Sequence, residues 1–392
     1  MNLKTLKDLD VKNKRVLVRV DFNVPLEDGK VVDDTRITEA LPTINYLREQ
    51  EAKVILMSHL GRPEGKVVEE LRLEPVGHRL AELIDDHVLT LTDCVGEEVQ
   101  RAVEGMEEGD VVLLENLRFY AAEEENKKEF AHQLAELADV YINDAFGAAH
   151  RAHASTEGVA HLIPAAAGLL LEKEIKTLSE VMSDPAKPFV AVIGGAKIST
   201  KMGVINKLLE KTDNLLLGGG LANTIVKAAG VEVGKSLVEE EMLAEAKQLS
   251  EKKDSKLKIP VDVVVAQEAN NTARTRISNI NDIKPEEAIF DIGAETIKEY
   301  TEIIKKAKTV IWNGPMGMFE QSNFANGTNS VAKAVAEGDN KSVIGGGETL
   351  EAVSKLALTD RVSFVSTGGG AMLEFMEKGD LPALEPLKKQ DK

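Results

Sequence analysis

Short apolar runs alternate with amphipathic stretches along most of this chain. Apolar runs of this length are typical of buried parallel strands, and the amphipathic stretches of the helices that cover them. The pattern therefore predicts an α/β fold with parallel sheets. The first half contains RVLVRVDF (15–22), KVILMS (53–58), DVVLLEN (110–116) and VYIND (140–144), and the second contains FVAVIGG (189–195), NLLLGGG (214–220), SVIGGG (342–347) and SFVSTGGG (363–370).

The alternation is interrupted between residues 144 and 189, where the sequence predicts a single helix. It begins near Gly168, and the Asp184-Pro185 and Lys187-Pro188 pairs end it. A chain of 392 residues with two similar halves fits two domains. We therefore predict a first domain over 1–168, a helical connector over 169–187 and a second domain over 188–375. The last residues, 374–392, fit either a frayed tail or a strap lying back across the other domain.

Composition narrows the possible partners and the compartment. The formal charge of −18, from 66 acidic and 48 basic residues, disfavours general binding to nucleic acid or to an anionic membrane. A single cysteine, Cys94, excludes an intramolecular disulfide and fits a reducing compartment. The N-terminal segment lacks the apolar core of a signal peptide, and the longest apolar stretch, 160–171, is too short to span a bilayer. We therefore expect the protein in the cytosol.

The strand ends of the second half are rich in glycine and indicate phosphate binding. A strand that leads into a helix through glycine offers free amide donors and the positive end of a helix dipole. In GGAKISTKMG (194–203), Lys197 and Lys201 are four residues apart, which predicts that both lie on one face of the first helical turn. Cations are unfavourable there, so an anion is expected to compensate them; the alternative is two solvated surface lysines.

Two further segments of the second half suggest how a nucleotide is held. In GGGETLEAV (345–353), Glu348 at a helix start either complements the helix dipole or holds Mg²⁺. In WNGPMGMFE (312–320), Met316 and Met318 suit the face of an adenine, or plain packing, and Glu320 suits ribose hydroxyls.

The strand ends of the first half carry charged side chains instead of glycine. Ligands of open α/β sheets bind beyond the carboxyl ends of the strands. Single basic residues there are usually surface or capping groups, but their accumulation at four strand ends favours a pocket for a small, multiply charged acid. The basic residues are Arg36, His59, Arg62, Arg118, His150, Arg151 and His153.

Several familiar motifs are absent or imperfect. GVEVGKS (230–236) is one residue too short for a Walker A loop and follows a helical pattern rather than a strand. In the segment that begins at Gly218, Asn223 occupies the position of the third glycine of a dinucleotide-binding fingerprint. No protein-kinase catalytic loop and no zinc spacing occurs in the sequence.

Six segments of the chain carry a more specific signal, namely RVDFNVP (19–25), SHLGRP (58–63), NDAFGAAHRAHAS (143–155), GGAKISTK (194–201), WNGPMGMFE (312–320) and GGGET (345–349). Together they resemble the phosphoglycerate kinase family, of bacterial type. The resemblance extends in order over nearly the whole chain. It implies a two-lobed monomer of two Rossmann-like domains joined by a helical hinge, with the C-terminal segment 376–392 completing the first domain. It also implies reversible phosphoryl transfer between 1,3-bisphosphoglycerate and ADP, giving 3-phosphoglycerate and MgATP in glycolysis.

The same resemblance assigns residues to roles. Arg36 and Lys197 would flank the transferred phosphoryl group. The phosphoglycerate contacts would be Asp21, Asn23, Arg36, His59, Arg62, Arg118 and Arg151, with His150 and His153 beside them. The nucleotide contacts would be Lys201, Gly218, Gly219, Gly293, Asn313, Met318, Glu320, Gly346, Gly347, Glu348 and Thr349.

One position departs from the family pattern. The family usually reads GGGD[ST] where this chain has Glu348 and Thr349. The longer carboxylate side chain suits Mg²⁺ either directly or through water.

Two other classes of function share this overall pattern. An NAD(P)-dependent oxidoreductase would also have two α/β lobes, although the failed fingerprint speaks against it. A hinge-closing receptor for small anions is the second alternative, and the paired lysines at a glycine turn exceed what such a receptor needs.

Overall fold

The computed structural model describes residues 1–252 and 254–389. The chain forms two compact units. Unit 1 contains Met1–Ser179 together with the chain from Lys378 onward, and unit 2 contains Glu180–Glu377.

Unit 1 is built on a six-stranded sheet in which every pairing is parallel, in the order β5-β6-β4-β1-β7-β8. Its central strands are the apolar runs of the first half, and Val16, Leu17 and Val18 of β1 are fully buried. A two-stranded antiparallel hairpin, β2-β3, lies outside this sheet. The strands are β1 (Arg15–Arg19), β2 (Leu26–Glu27), β3 (Lys30–Val31), β4 (Lys53–Met57), β5 (Val88–Thr90), β6 (Val111–Leu113), β7 (Val140–Asn143) and β8 (Ala165–Ala167).

Helices cover this sheet and place its core between the layers. Ile37 and Ile44 of α1 pack with Val16 and Val54 in one continuous apolar cluster. The helices are α1 (Thr35–Glu49), α2 (Glu74–Ile84), α3 (Glu97–Glu104), α4 (Ala121–Glu124) and α5 (Lys128–Ala135).

The predicted connector is α6 (Leu169–Ser183), which begins next to Gly168 as the sequence indicates. Asp144 lies at its start and accepts hydrogen bonds from the amides of Leu170 and Leu171 at 2.9 and 3.1 Å. The division between the two units falls within this helix, after Ser179.

The C-terminal segment pairs with the N-terminus of unit 1. The amide of Lys4 donates to the carbonyl of Leu387 at 2.8 Å, and the amide of Lys389 donates to the carbonyl of Asn2 at 2.9 Å. Of the two possibilities that the sequence leaves open, the described part of this segment, 378–389, is therefore a strap and not a frayed tail.

Unit 2 contains a second six-stranded sheet with only parallel pairings, in the order β11-β10-β9-β15-β16-β17. The glycine-rich runs of the second half supply β9, β10, β16 and β17, so their glycines follow the carboxyl ends of these strands. The strands are β9 (Phe189–Ile193), β10 (Asn214–Leu217), β11 (Leu257–Lys258), β12 (Asp262–Ala266), β13 (Arg276–Asn279), β14 (Ala288–Ile292), β15 (Thr309–Asn313), β16 (Lys341–Gly345) and β17 (Phe364–Ser366).

The helices of unit 2 pack on this sheet through a core that includes Trp312, Tyr300 and Val331. Four of them, α7, α8, α12 and α13, follow the glycine-rich strand ends. The helices are α7 (Met202–Lys211), α8 (Gly219–Ala228), α9 (Leu243–Glu251), α10 (Ala294–Lys306), α11 (Asn326–Glu337), α12 (Gly347–Lys355) and α13 (Gly369–Lys378).

A separate three-stranded antiparallel sheet, β13-β12-β14, is an addition that the sequence pattern does not predict. Val263 and Val265 of β12 pack with Val226 of α8 and Val233 in a small apolar cluster of their own. The GVEVGKS segment belongs to this region: it follows α8, and the amide of Lys235 donates to the carbonyl of Glu287 at 2.7 Å. The segment therefore serves the packing of this small sheet.

Candidate active site

The charged cluster of unit 1 is organised around Asp21, just beyond the carboxyl end of β1. Nη1 of Arg36, in the first turn of α1, donates to the carboxylate of Asp21 at 2.7 Å. Nδ1 of His59, which follows β4, lies 3.9 Å from the same carboxylate. Asp21 therefore supplies a counter-charge for Arg36 within the protein.

Burial and charge act in opposite directions on this group. Burial alone would raise the pKa of Asp21, but the charges of Arg36 and Arg19 and the hydrogen bond from the amide of Asn23 hold the pKa below its usual value. Burial also places the pKa of His59 well below its usual range, with Asp21 opposing and the neighbouring arginines adding to the shift. His59 is therefore a neutral imidazole at pH 7.

Two of the predicted contacts hold the loop after β4. The amide of Gly61 donates to Oδ1 of Asn23 at 2.9 Å, and Nη1 of Arg118 donates to the carbonyl of Gly61 at 2.7 Å. Both side chains therefore fix the segment that carries His59 and Arg62. Arg118 is buried, whereas Arg62 is exposed.

The segment after β7 completes the cluster. Nε of Arg151 donates to Nε2 of His150 at 3.2 Å. His153 is buried, and its burial together with Arg19, Arg118, Arg151 and His150 lowers its pKa to about 3. Both His59 and His153 are thus neutral rings that lie among arginines.

Three residues of this region carry no assignment from the sequence: Arg19, Glu123 and Ser155. Nε of Arg19 donates to Oγ of Ser155 at 2.7 Å, and Nη2 of Arg19 lies 3.1 Å from Nδ1 of His59. An arginine inside an apolar strand run was the available signal for Arg19, because buried arginines are nearly always paired. Glu123 lies in an acidic run, AEEEN, where nothing in the sequence separates it from its exposed neighbours.

In unit 2 the glycine turns after β9 and β10 lie against each other. Gly219 has a φ of +69°, and a Cβ at this position would lie 2.7 Å from the carbonyl oxygen of Gly195. The amide of Gly219 donates to the carbonyl of Met316 at 2.9 Å, and Gly218 caps the start of α8. Backbone contact this close requires glycine, as the clustered glycines indicate.

The structure corrects the predicted placement of the two lysines. Helix α7 begins at Met202, so Lys197 and Lys201 lie in the preceding turn and not in the first turn of the helix. Lys197 is exposed. Nζ of Lys201 donates to the carbonyl of Gly194 at 2.6 Å and to Oδ1 of Asn313 at 2.9 Å. Burial lowers the pKa of Lys201 to about 8, although Glu348 opposes the shift.

The turn after β16 is fixed from both sides. Gly346 has a φ of +98°, and Nδ2 of the Asn313 side chain donates to the carbonyl of Gly345 at 2.8 Å. Oγ1 of the buried Thr349 accepts from the amide of Gly314 at 2.7 Å. Gly347 and Glu348, in the first turn of α12, are exposed, so the carboxylate of Glu348 is open to solvent.

A cavity of about 430 Å³ lies beside these turns. Its lining joins predicted residues to residues that the sequence does not single out, among them Leu237 and Phe290, contributed by the region of the small antiparallel sheet. Leu237 is 58% exposed and Met318 is 38% exposed, which makes an apolar face open to a planar ligand. Among the predicted nucleotide contacts, those that line it are Gly219, Met318, Glu320 and Glu348.

Gly293 and Met316 have structural surroundings of their own. Gly293 precedes α10, packs against the side chain of Asp262 and is not part of the cavity lining. Met316 is 1% exposed and belongs to the core of unit 2, yet it also borders the cavity.

Within the part of the chain that the structure describes, no group of three or more His, Cys, Asp or Glu side chains is arranged to hold a metal ion. In the same residues, no helix combines the length and the apolar character needed to cross a membrane.

Comparison with known proteins places the whole chain in one family. A sequence model described as phosphoglycerate kinase matches residues 6–379. The chain is 55% identical over 386 residues to the phosphoglycerate kinase of Moorella thermoacetica, with 98% of each chain covered. It is 52% identical over 390 residues to that of Pelotomaculum thermopropionicum, with 99% of each covered.

Solved structures agree with the sequence comparison. Phosphoglycerate kinase from Coxiella burnetii matches with a TM-score of 0.85 at 44% identity, covering 98% of both chains. Phosphoglycerate kinase from Pyrococcus horikoshii matches with a TM-score of 0.87 at 35% identity and the same coverage. These matches confirm the predicted α/β fold with two parallel-sheet domains. This chain therefore belongs to the phosphoglycerate kinase family.

Proposed function

We propose that this phosphotransferase moves a phosphoryl group reversibly between 1,3-bisphosphoglycerate and ADP, giving 3-phosphoglycerate and MgATP in glycolysis. The observation that carries the proposal is that the two units have sites of different chemical character. Unit 1 gathers arginines and neutral histidines at its strand ends, which suits a small organic acid with a phosphate. Unit 2 offers glycine turns and an apolar cavity, which suit a nucleotide.

The chemistry requires little proton transfer from the protein. The attacking atom would be a carboxylate oxygen of 3-phosphoglycerate, which is already ionised at pH 7, so no general base is needed. This agrees with His59 and His153, whose low pKa values leave them neutral. Catalysis then depends on positioning and on neutralising the charge of the transferred group.

Arg36 and Lys197 are the side chains that we assign to the transferred group. Arg36 is one-third exposed and is oriented by its bond to Asp21, so other donors of its guanidinium can bind an oxyanion. Lys197 is exposed in the glycine-rich turn after β9. A cation that is already oriented, as Arg36 is by Asp21, stabilises a transition state with little reorganisation during the reaction.

The nucleotide would use the remaining predicted residues of unit 2. Lys201 and the amides of Gly346 and Gly347 would hold phosphate oxygens. The amides of Gly218 and Gly219 already donate to the carbonyls of Ile193 and Met316, so these two glycines would serve by letting the phosphates approach the turn closely. The apolar face with Met318 would contact the base, and Glu320 would accept hydrogen bonds from the ribose.

Magnesium would enter with the nucleotide. The carboxylate of Glu348 is a hard oxygen ligand and lies on the cavity, so the site fits a Mg²⁺ ion that keeps phosphate oxygens and water as its other ligands. When bound, the ion would neutralise negative charge on the phosphates. Thr349, with its hydroxyl bonded to Gly314, fixes the turn that carries Glu348.

Direct transfer requires the two substrates to meet, and we propose that it occurs in line after the units close about α6. An acyl phosphate that is exposed to water hydrolyses, so closure driven by both substrates would also protect it. We further propose that the enzyme works as a monomer in the cytosol. The buried thiol of Cys94, whose pKa burial raises, fits that setting because it is not poised for disulfide exchange.

A coupled assay tests the proposal. The enzyme is supplied with 3-phosphoglycerate and MgATP, and a glyceraldehyde-phosphate dehydrogenase reports the acyl phosphate as NADH is oxidised. We expect turnover that needs both substrates, and a fall of roughly 100-fold or more in kcat for Arg36→Ala. Arg48→Ala is the matched control, because Arg48 lies at the other end of α1 and pairs with Asp86. No turnover by the wild type, or a near-normal kcat for Arg36→Ala, would contradict the assignment.

A further inference from the structure

A chain of buried polar groups lies beneath the phosphoglycerate cluster of unit 1. It runs from Glu123, at 0% exposure, through Ser155 and Arg19 to His59. The hydroxyl of Ser155 donates to Oε1 of Glu123 at 2.5 Å, and the amide of Ser155 donates to Oε2 at 2.9 Å. Nη2 of Arg19 lies 4.0 Å from Oε1 of Glu123, so the carboxylate is also the counter-charge of a buried guanidinium.

The direction of every bond in this chain follows from the chemistry of arginine. A guanidinium only donates, so the hydroxyl oxygen of Ser155 accepts from Nε of Arg19 at 2.7 Å. The hydroxyl hydrogen of Ser155 is then directed to Glu123. In the same way Nδ1 of His59, 3.1 Å from Nη2 of Arg19, accepts a hydrogen bond and carries no proton. The proton of the neutral ring therefore lies on Nε2.

A second partner competes for the same ring nitrogen. Oδ1 of Asp21 lies 3.9 Å from Nδ1 of His59 and would favour the opposite tautomer, with the proton on Nδ1 and directed to the carboxylate. Arg19 prevails because it is closer. It remains in place because Ser155 and Glu123 hold it together with the carbonyl of Val20, which accepts from Nη1. The tautomer of His59 thus depends on a carboxylate that the ring does not contact.

We propose that Glu123 is a positioning residue of the phosphoglycerate site, which acts through Ser155 and Arg19 to keep His59 as a neutral ring with its proton on Nε2. This inference rests on the proposed function for the identity of the ligand. A neutral N–H donor suits an oxygen-rich anion, because it binds without releasing or taking up a proton. With the other tautomer, Nε2 would face such a ligand as an acceptor and would repel it.

The tautomer can be measured directly on the full-length enzyme without substrate. In ¹⁵N-labelled protein at pH 7, the side-chain nitrogen shifts of His59 should show Nε2 protonated and Nδ1 unprotonated. In Glu123→Gln and in Ser155→Ala we expect this pattern to be lost, in favour of protonated Nδ1 or a mixture. Ser155→Ala keeps the charge of Glu123 beside Arg19, so it carries the test if Glu123→Gln does not fold.

Kinetics separate positioning from a general structural defect. We expect KM for 3-phosphoglycerate to rise about tenfold in Glu123→Gln, in line with the loss of one hydrogen bond to a charged group. KM for MgATP should stay unchanged. In a His59→Gln background the same substitution should add nothing to KM, because its effect passes through the ring. Glu125→Gln is the matched control: Glu125 directly follows α4, is 57% exposed and pairs with Lys127.

Three results would overturn the inference. One is a wild-type His59 with its proton on Nδ1, another is an unchanged tautomer in both variants, and the third is a full KM effect of Glu123→Gln in the His59→Gln background. Failure of the proposed function gives a different outcome. If Nε2 is protonated in the wild type, the pattern is lost in the two variants, and 3-phosphoglycerate still does not bind, the ligand assignment is contradicted and the link from Glu123 to His59 is supported.

Discussion

The carboxyl group of Asp144 should make the stability of unit 1 depend on pH in the direction opposite to that of most acidic groups. Asp144 is fully buried at the start of α6, where Oδ1 accepts from the amides of Leu170 and Leu171. Its other oxygen, Oδ2, has no hydrogen-bond partner among the described residues. Burial therefore raises the pKa of Asp144 to about 7, although Thr43 and the two amides oppose the shift.

The size of the effect follows from that shift. Between about pH 4 and pH 7 the native state keeps a proton that the unfolded chain has lost, so the stability of unit 1 falls as the pH rises through this window. Above pH 7 the loss is complete. Raising the pKa of Asp144 by roughly three units lowers the free energy of unfolding by about 4 kcal/mol across this window, at about 1.4 kcal/mol for each unit. Asp144→Asn keeps an oxygen for the two amides and removes the titration, so its stability relative to the wild type should improve by about that amount from pH 4 to pH 8.

Denaturant titrations with two probes measure this change. The single tryptophan, Trp312, is buried in unit 2, so its fluorescence follows unit 2 alone, whereas far-UV circular dichroism follows both units. The unfolding of unit 1 is obtained from the change in circular dichroism that is not accompanied by a change in Trp312 fluorescence. Asp139→Asn is the control, since Arg15 holds the pKa of Asp139 below its usual value against the effect of burial, and its pH dependence has the opposite sign. Equal pH dependence of unit 1 in the wild type and in Asp144→Asn would refute the reasoning.

Three further predictions concern the nucleotide side. Lys197→Ala should lower kcat far more than it raises KM for MgATP. Lys207→Ala, which removes an exposed lysine that pairs with Glu210 on α7, should change neither constant. A defect in affinity alone would reassign Lys197 to ground-state binding. Because the pKa of Lys201 is about 8, ADP binding at pH 8.5 should restore its charge and take up protons, so the calorimetric enthalpy should vary with the ionisation heat of the buffer. Lys201→Met should remove that variation. Equal proton uptake in this variant would contradict the assignment. Glu348→Asp should keep activity within about tenfold if water mediates the metal contact, and abolished turnover would indicate a strict direct ligand.

The main sheets could be predicted because their strands are buried on both faces. Such strands read as continuous apolar runs, and the glycines and charged residues that follow them mark the carboxyl edges of the sheets. The same logic placed Asp21, His59 and Gly219 at strand ends, where the structure has them. Helix α6 was also readable, because two X-Pro pairs mark its end.

The small antiparallel sheet could not be predicted in this way. Its strand β13 reads RISN, and Ile277 within it is 59% exposed, so no apolar run announces the strand. Its stability comes from packing of β12 against Val226 and Val233, a tertiary contact that no local pattern encodes. The sequence therefore did not reveal the wall of the cavity that contains Phe290. The predicted position of Lys197 and Lys201 in the first turn of a helix was wrong, because a spacing of four residues fits a helix and a tight turn equally well.

The pattern of charged residues along the chain does not predict the buried polar groups of unit 1. In the run AEEEN, Glu123 is fully buried and Glu125 is exposed, and only the fold decides which is which. Once buried, Glu123 and Arg19 lose their hydration when the protein folds and not when the ligand arrives. Their orientation is then fixed by bonds within the protein, so the site meets an anion with donors that are already dehydrated and aligned. The arrangement links folding to binding. Folding bears the cost of dehydrating the buried ion pair, and the pair in turn keeps Nε2 of His59 oriented as a hydrogen-bond donor before the ligand binds.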